Sequence, residues 1–134
     1  MKAGRELVGK VVSGSRRAAY FTQLDWVQEQ CQTKLGFRPY PGTLNLEVTE
    51  EGLAVIKSLQ TEQTKKAADL VPADPEFCVA RVFPVSIGTI YGAIILPAEE
   101  VRIHGKNVVE VLAPVRLKEA LNVEDGDSVT LILG

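Results

Sequence analysis

The 134-residue sequence predicts a mainly β fold, a small β-barrel carrying two or three short helices. Three observations point there. About six short stretches are apolar or alternate apolar with polar, as strands do. Only two or three stretches repeat at the roughly 3.6-residue spacing of a helix. The two kinds do not alternate in the regular strand–helix order of a parallel sheet.

Taken in order, Leu7 to Ser13 (LVGKVVS) reads as the first strand, and Gly14 to Ala19 as a polar loop. Thr22 is placed to cap a helix running to about Lys34. Leu24, Val27, Cys31 and Leu35 form its apolar stripe, and Gly36 suits its end. Thr43 to Val48 reads as the second strand and Glu50 to Leu59 as a second helix. Gln60 to Pro75 is polar and proline-bearing, which predicts a surface excursion. Phe77 to Val85 and Thr89 to Leu96 read as strands around a Ser86-Ile87-Gly88 turn. Val108 to Leu112 follows, then a short helix at Arg116 to Leu121. Asp125-Gly126-Asp127 is a turn, and Ser128 to Leu133 closes the series.

Composition narrows the function. The length suits one domain with a real core, spanning residues 1–134. A net charge of −2 gives no global basic field, so no nucleic-acid partner is expected. Lys2, Arg5, Lys10, Arg16 and Arg17 make the N-terminal stretch locally basic. No apolar run reaches the roughly 20 residues of a membrane span, and MKAGRELVGK does not read as a secretory signal. Cys31 and Cys78 form no CxxC pair, so a reduced, cytoplasmic protein is expected. The one histidine, His104, excludes a His-rich zinc site. Neither a GxxxxGK[ST] nor a GxGxxG loop occurs, so any phosphate is handled by other means.

The stretch GFRPYPGTLNLEV, residues 36–48, is the most informative. Pro39 and Pro41 fix φ on either side of Tyr40, and Gly42 permits close approach. In the strand that follows, Leu44, Leu46 and Val48 share one face, and Thr43, Asn45 and Glu47 the other. Strand residues i and i+2 lie roughly 6.5–7 Å apart with parallel side chains. Thr43 and Asn45 can therefore turn two neutral, hard oxygens toward one small object. That suits Mg²⁺ held chiefly by phosphates and water. A half-buried strand with a solvated outer face produces the same six-residue pattern; the stiff turn in front favours the binding site.

That stretch, preceded by GKVVSG and Tyr20-Phe21, resembles the archaeal-type CTP-dependent riboflavin kinases. The likeness continues through GAIILP (92–97), His104, VEVLAP (109–114) and LNVEDGDSV (121–129). It implies a six-stranded cradle-loop β-barrel that transfers the γ-phosphate of CTP to the 5′-hydroxyl of riboflavin, giving FMN and CDP. It implies Mg²⁺ as cofactor, with Thr43 and Asn45 as its ligands. It places nucleotide on the loop after the first strand, here Gly14, Ser15, Arg16, Arg17 and Tyr20, and on Val115, Arg116, Leu117 and Lys118. It places flavin beside Glu110 and the position of Arg102, with Glu110 orienting riboflavin.

The chain departs from the family at three points. The loop pattern SG-x-G-x-G has Arg16 and Ala18 at its later glycines; Arg16 and Arg17 can instead grip phosphate by bidentate, charge-assisted bonds. Lys118 stands where an arginine is usual, and Arg102 where a threonine is. Arg16, Arg17, Arg116 and Lys118 would equally suit a solvated surface. His104 reads as a loop residue near the pocket. Trp26, Tyr40 and Tyr91 offer ring faces, but most aromatics are core or rim packing, so none of the three is assigned. Two alternatives to the kinase follow: a non-catalytic flavin- or nucleotide-binding module on the same barrel, and a barrel used for protein association.

Overall fold

Alternation decides how each strand turns. In a computed structural model that describes residues 5–14, 17–61, 67–73, 79–97 and 107–133, β1 (Arg5–Val12) buries Leu7 and Val11 and exposes Glu6, Val8 and Lys10. β2 (Leu44–Val48) buries Leu44, Leu46 and Val48. Between β1 and β2 lie α1 (Arg17–Thr22) and α2 (Asp25–Lys34). After β2 come α3 (Glu50–Thr61) and the short β3 (Ala68–Leu70). The chain continues through β4 (Ala80–Ile87), β5 (Ile90–Pro97), β6 (Val108–Leu112), α4 (Leu117–Leu121) and β7 (Ser128–Leu133).

Every strand pairing is antiparallel. The order β4-β5-β6-β2-β1-β7 returns on itself through β4–β7, so six strands close a barrel as expected. Closure removes the free edges that would invite aggregation. β4 uses one edge twice: Ala80 to Val82 pair with β3, while Val85 and Ser86 pair with β7. Pro84 sits between these pairings, where a missing N–H costs no ladder bond.

Two apolar clusters share the strands. Inside the barrel, Leu7, Val11, Leu46, Phe83, Val85, Ile94, Val109, Val111, Val129 and Leu131 pack together, joined by Ile56 of α3 and Leu117 of α4. Outside, Val27, Cys31, Leu35 and Phe37 cover Leu70, Ala80, Val82, Ala93 and Leu112. β4, β5 and β6 are thus apolar on both faces where α2 covers them, which explains why GAIILP and VVEVLA read as near-continuous apolar runs. Burial raises the Cys31 thiol from about 9.0 to about 11, so it behaves as an inert core group.

Several boundaries differ from expectation. Gly14 to Ala19 is only partly loop, because α1 begins at Arg17. Thr22 does not cap α2; it closes α1, and Leu24 holds the cap position without a side-chain bond. Within Gln60 to Pro75 lie the end of α3 and β3. The hairpin turn is Gly88-Thr89, since Ser86 and Ile87 belong to β4. Cys78 and His104 lie outside the described residues.

Candidate functional site

The turn at residues 36–42 is fastened to three separate elements. The Gln28 side-chain amide donates to the carbonyls of Thr22 and Pro39, at 2.6 and 2.9 Å. The Tyr40 N–H donates to the Ala113 carbonyl at 2.8 Å, tying the turn to the end of β6. The Gly42 N–H donates to the Thr22 hydroxyl at 2.7 Å, and that hydroxyl donates in turn to the Ala19 carbonyl at 3.2 Å. Gly42 has φ +105°, a conformation that side chains rarely adopt. The prolines, the glycine and buried Thr22 therefore fix the approach to β2 rather than merely reversing the chain.

That approach delivers Thr43 and Asn45 to the barrel's outer face and into one cavity of about 190 Å³. The cavity is lined by the Tyr40-to-Asn45 stretch, by Val12 and Gly14 at the exit of β1, and by Val111, Ala113 and Val115 to Lys118. The register explains the convergence: Asn45 lies opposite Val12 on β1 and opposite Glu110 on β6.

The Thr43 hydroxyl and one Asn45 amide N–H are directed onto protein. The Thr43 hydroxyl donates to Glu110 Oε1 at 2.8 Å, and Asn45 Nδ2 donates to the Thr43 carbonyl at 3.3 Å. Oxygen lone pairs are thereby left for a cation. Gly14 presses on the Asn45 amide: a Cβ there would stand 1.9 Å from Nδ2 and 2.8 Å from Oδ1. The arrangement fits a hard divalent ion that takes few protein oxygens and completes its shell with phosphate and water. Among the described residues, no cluster of three His, Cys, Asp or Glu offers a competing metal site.

The far rim is α4 and the turn beside it. Leu117 is buried in the barrel core, while Val115 and Arg116 are exposed at the cavity edge. Lys118 Nζ contacts Asp125 Oδ1 at 2.9 Å, and the Ser13 hydroxyl donates to Asp125 Oδ2 at 2.5 Å. The Ser13 bond first, then Lys118, holds the Asp125 carboxyl below the usual carboxylate range. Backbone bonds of 2.8 Å between Val11 and Asp127, and between Gly126 and Val11, dock the same turn on β1. The Asp-Gly-Asp turn is thus the clasp joining the two segments expected to hold nucleotide.

Of the sequence-predicted residues, Gly14, Thr43, Asn45, Val115, Arg116, Leu117 and Lys118 line the cavity, and Glu110 stands beside it. Tyr20 is exposed on α1 and is not among the lining residues. Arg17 begins α1, while Ser15, Arg16 and Arg102 lie outside the described residues. Sequence reasoning did not assign Tyr40 or Asp125. Tyr40 carried a signal, being set between two prolines; the Ser13–Asp125 contact spans 112 positions and leaves no local trace.

Residues 11–133 match the protein family titled CTP-dep_RFKase, described as domain of unknown function DUF120. Similar proteins include a riboflavin kinase of Methanobrevibacter smithii, 35% identical over 92% of this chain and 95% of that one. The riboflavin kinase of Archaeoglobus fulgidus is 34% identical over 92% of this chain and 52% of its own length. That of Methanosarcina barkeri is 30% identical over 96% and 56%. The chain therefore spans about half the length of the latter two relatives and nearly all of the first.

Proposed function

Because the chain belongs to the CTP-dependent riboflavin kinase family, we propose that it phosphorylates riboflavin to FMN with CTP as donor and Mg²⁺ as cofactor. The observation that carries this reading is the pairing of Thr43 and Asn45 in one cavity, with the Thr43 hydroxyl donating to Glu110 Oε1 and the Asn45 amide nitrogen to the Thr43 carbonyl. In the reaction, the riboflavin 5′-oxygen bonds to the γ-phosphorus and gives up its hydroxyl proton, which passes by way of the Glu110 carboxylate to solvent. The bond from that phosphorus to the β–γ bridging oxygen breaks, and CDP leaves with the electron pair.

Each segment has a task in this scheme. Thr43 and Asn45 would hold the metal, which would neutralise charge on the donor phosphates. Gly14 and its loop, with Arg116 and Lys118 opposite, flank the phosphates. Glu110 presents its second oxygen to riboflavin and orients the hydroxyl. Positioning and charge neutralisation supply most of the rate in such transfers. Residues 1–134 act as one barrel domain in the cytoplasm, with riboflavin, FMN, CTP and CDP as small-molecule partners.

The test is an incubation with riboflavin, Mg²⁺ and each nucleoside triphosphate, separating FMN from riboflavin by chromatography. FMN forming fastest with CTP is expected. No FMN with any donor would reject the kinase. A flavin fluorescence change on adding protein would then favour the non-catalytic binding module, a reading motivated by Arg16 and Ala18 at the family's glycine positions.

A further inference from the structure

Resting on the metal reading above, we infer that Glu110 is a positioning residue for the metal subsite, acting through the Thr43 hydroxyl, in addition to its place beside riboflavin. A hydroxyl has one hydrogen and two lone pairs. To hold a cation with a lone pair, Thr43 must send its hydrogen elsewhere. That hydrogen goes to Glu110 Oε1, 2.8 Å away on the neighbouring strand.

The placement is built by the sheet. Glu110 lies directly across from Asn45 on β2 and from Ile95 on β5. It is half-buried on the barrel's outer face, the face it shares along the strand with Val108 and Leu112. A carboxylate in such surroundings is held by hydrogen bonds. Its bond here goes to a neutral hydroxyl, so its negative charge polarises that O–H and raises electron density on the oxygen facing the cavity. Carboxylates behind metal ligands act in this way: they fix orientation, raise ligand basicity, and commonly cost about 10–100-fold in metal affinity when removed. Oε2 remains for riboflavin, so one side chain serves both subsites.

The experiment measures Mn²⁺ binding by electron paramagnetic resonance, with CDP present and riboflavin absent, for the wild type, Glu110→Ala, Glu110→Gln, Thr43→Val and the double variant Glu110→Ala/Thr43→Val. Circular dichroism and thermal midpoints confirm folding. Glu110→Ala should weaken Mn²⁺ binding by about 10-fold or more. Glu110→Gln, whose amide oxygen still accepts, should lose less. In the double variant, Glu110→Ala should add little to Thr43→Val, because the effect travels through the missing hydroxyl. A residue serving only riboflavin would leave Mn²⁺ binding untouched without the flavin, so unchanged affinity in Glu110→Ala beside a weakened Thr43→Val overturns the inference alone. Fully additive losses overturn it too, since the carboxylate would then act without Thr43. Unchanged affinity in Thr43→Val removes the metal reading itself, and the inference with it.

Discussion

Gly14 shows how one missing Cβ shapes the site. Its α-carbon stands so close to the Asn45 amide that any side chain would displace that amide, at 1.9 Å from Nδ2. A Cβ cannot stay within about 3 Å of a non-bonded heavy atom, and here the group that yields is a proposed ligand. Gly14→Ala should therefore lower turnover by about 100-fold, the scale of a 1 Å misplacement. Because Gly14 is exposed, thermal stability should change little. Steady-state FMN formation beside a melting curve tests this; wild-type turnover would show that Asn45 need not hold its place. Asn45→Ala is the companion variant. It should abolish turnover while leaving the fold intact, because the leucines that anchor β2 point the other way. Activity at the wild-type level in that variant rejects the metal site.

At the scale of elements, Thr22 and the turn it holds carry the argument. Its buried hydroxyl accepts from the Gly42 N–H and so links α1 to the start of β2. Thr22→Val keeps the shape but leaves that N–H without its acceptor, which should cost about 1–3 kcal/mol in urea denaturation. KM for substrate should also rise as the turn loosens; an unchanged urea midpoint would show that water replaces the hydroxyl. The Asp125 clasp gives a prediction in pH. Its folded-state value lies below the ordinary 3.8, so it stabilises the fold above that value and the benefit fades as pH falls through the lower one. Asp125→Asn should thus lower the thermal midpoint slightly at pH 7, with the gap to wild type closing in acid. A constant gap across pH would assign the loss to shape, not charge. The strands, α2 and the polar pair Thr43 and Asn45 were legible in sequence because they follow local rules of period and turn chemistry. Thr22 was not: a threonine ahead of an amphipathic stripe reads as a cap, and its actual partner, Gly42, is 20 positions away. β3 was hidden likewise, because three residues set no period. It is held by distant contacts: Gln30 makes two bonds of 2.7 Å to the Val71 backbone, and Asp69 pairs with Arg81 at 2.8 Å.

For the whole molecule, the two apolar clusters raise the question of whether they melt together. They are separate as packing units, one inside the barrel and one beneath α2. Yet they meet back to back through single strands: Val82 faces outward and Phe83 inward on β4, Ala93 and Ile94 divide in the same way on β5, and Leu112 and Val111 do so on β6. Losing the barrel removes the floor on which α2 rests. Closure itself depends on segments far apart in sequence, because β1 pairs with β7 from Arg5↔Leu133 to Lys10↔Ser128. Pairings between such distant segments slow folding, and two-state behaviour predicts that the barrel opens as a unit. Leu131, wholly buried on β7, is the place to probe this. Leu131→Ala should cost about 2–5 kcal/mol. The sole tryptophan, Trp26, lies on α2 against Phe21, with ring centres 5.6 Å apart. Its fluorescence reports the outer cluster, while far-UV circular dichroism reports the strands. Both signals should shift to lower urea by the same amount and remain superimposed. If fluorescence keeps its wild-type midpoint while the strands melt earlier, the outer cluster stands without the barrel, and the shared strands do not couple the two.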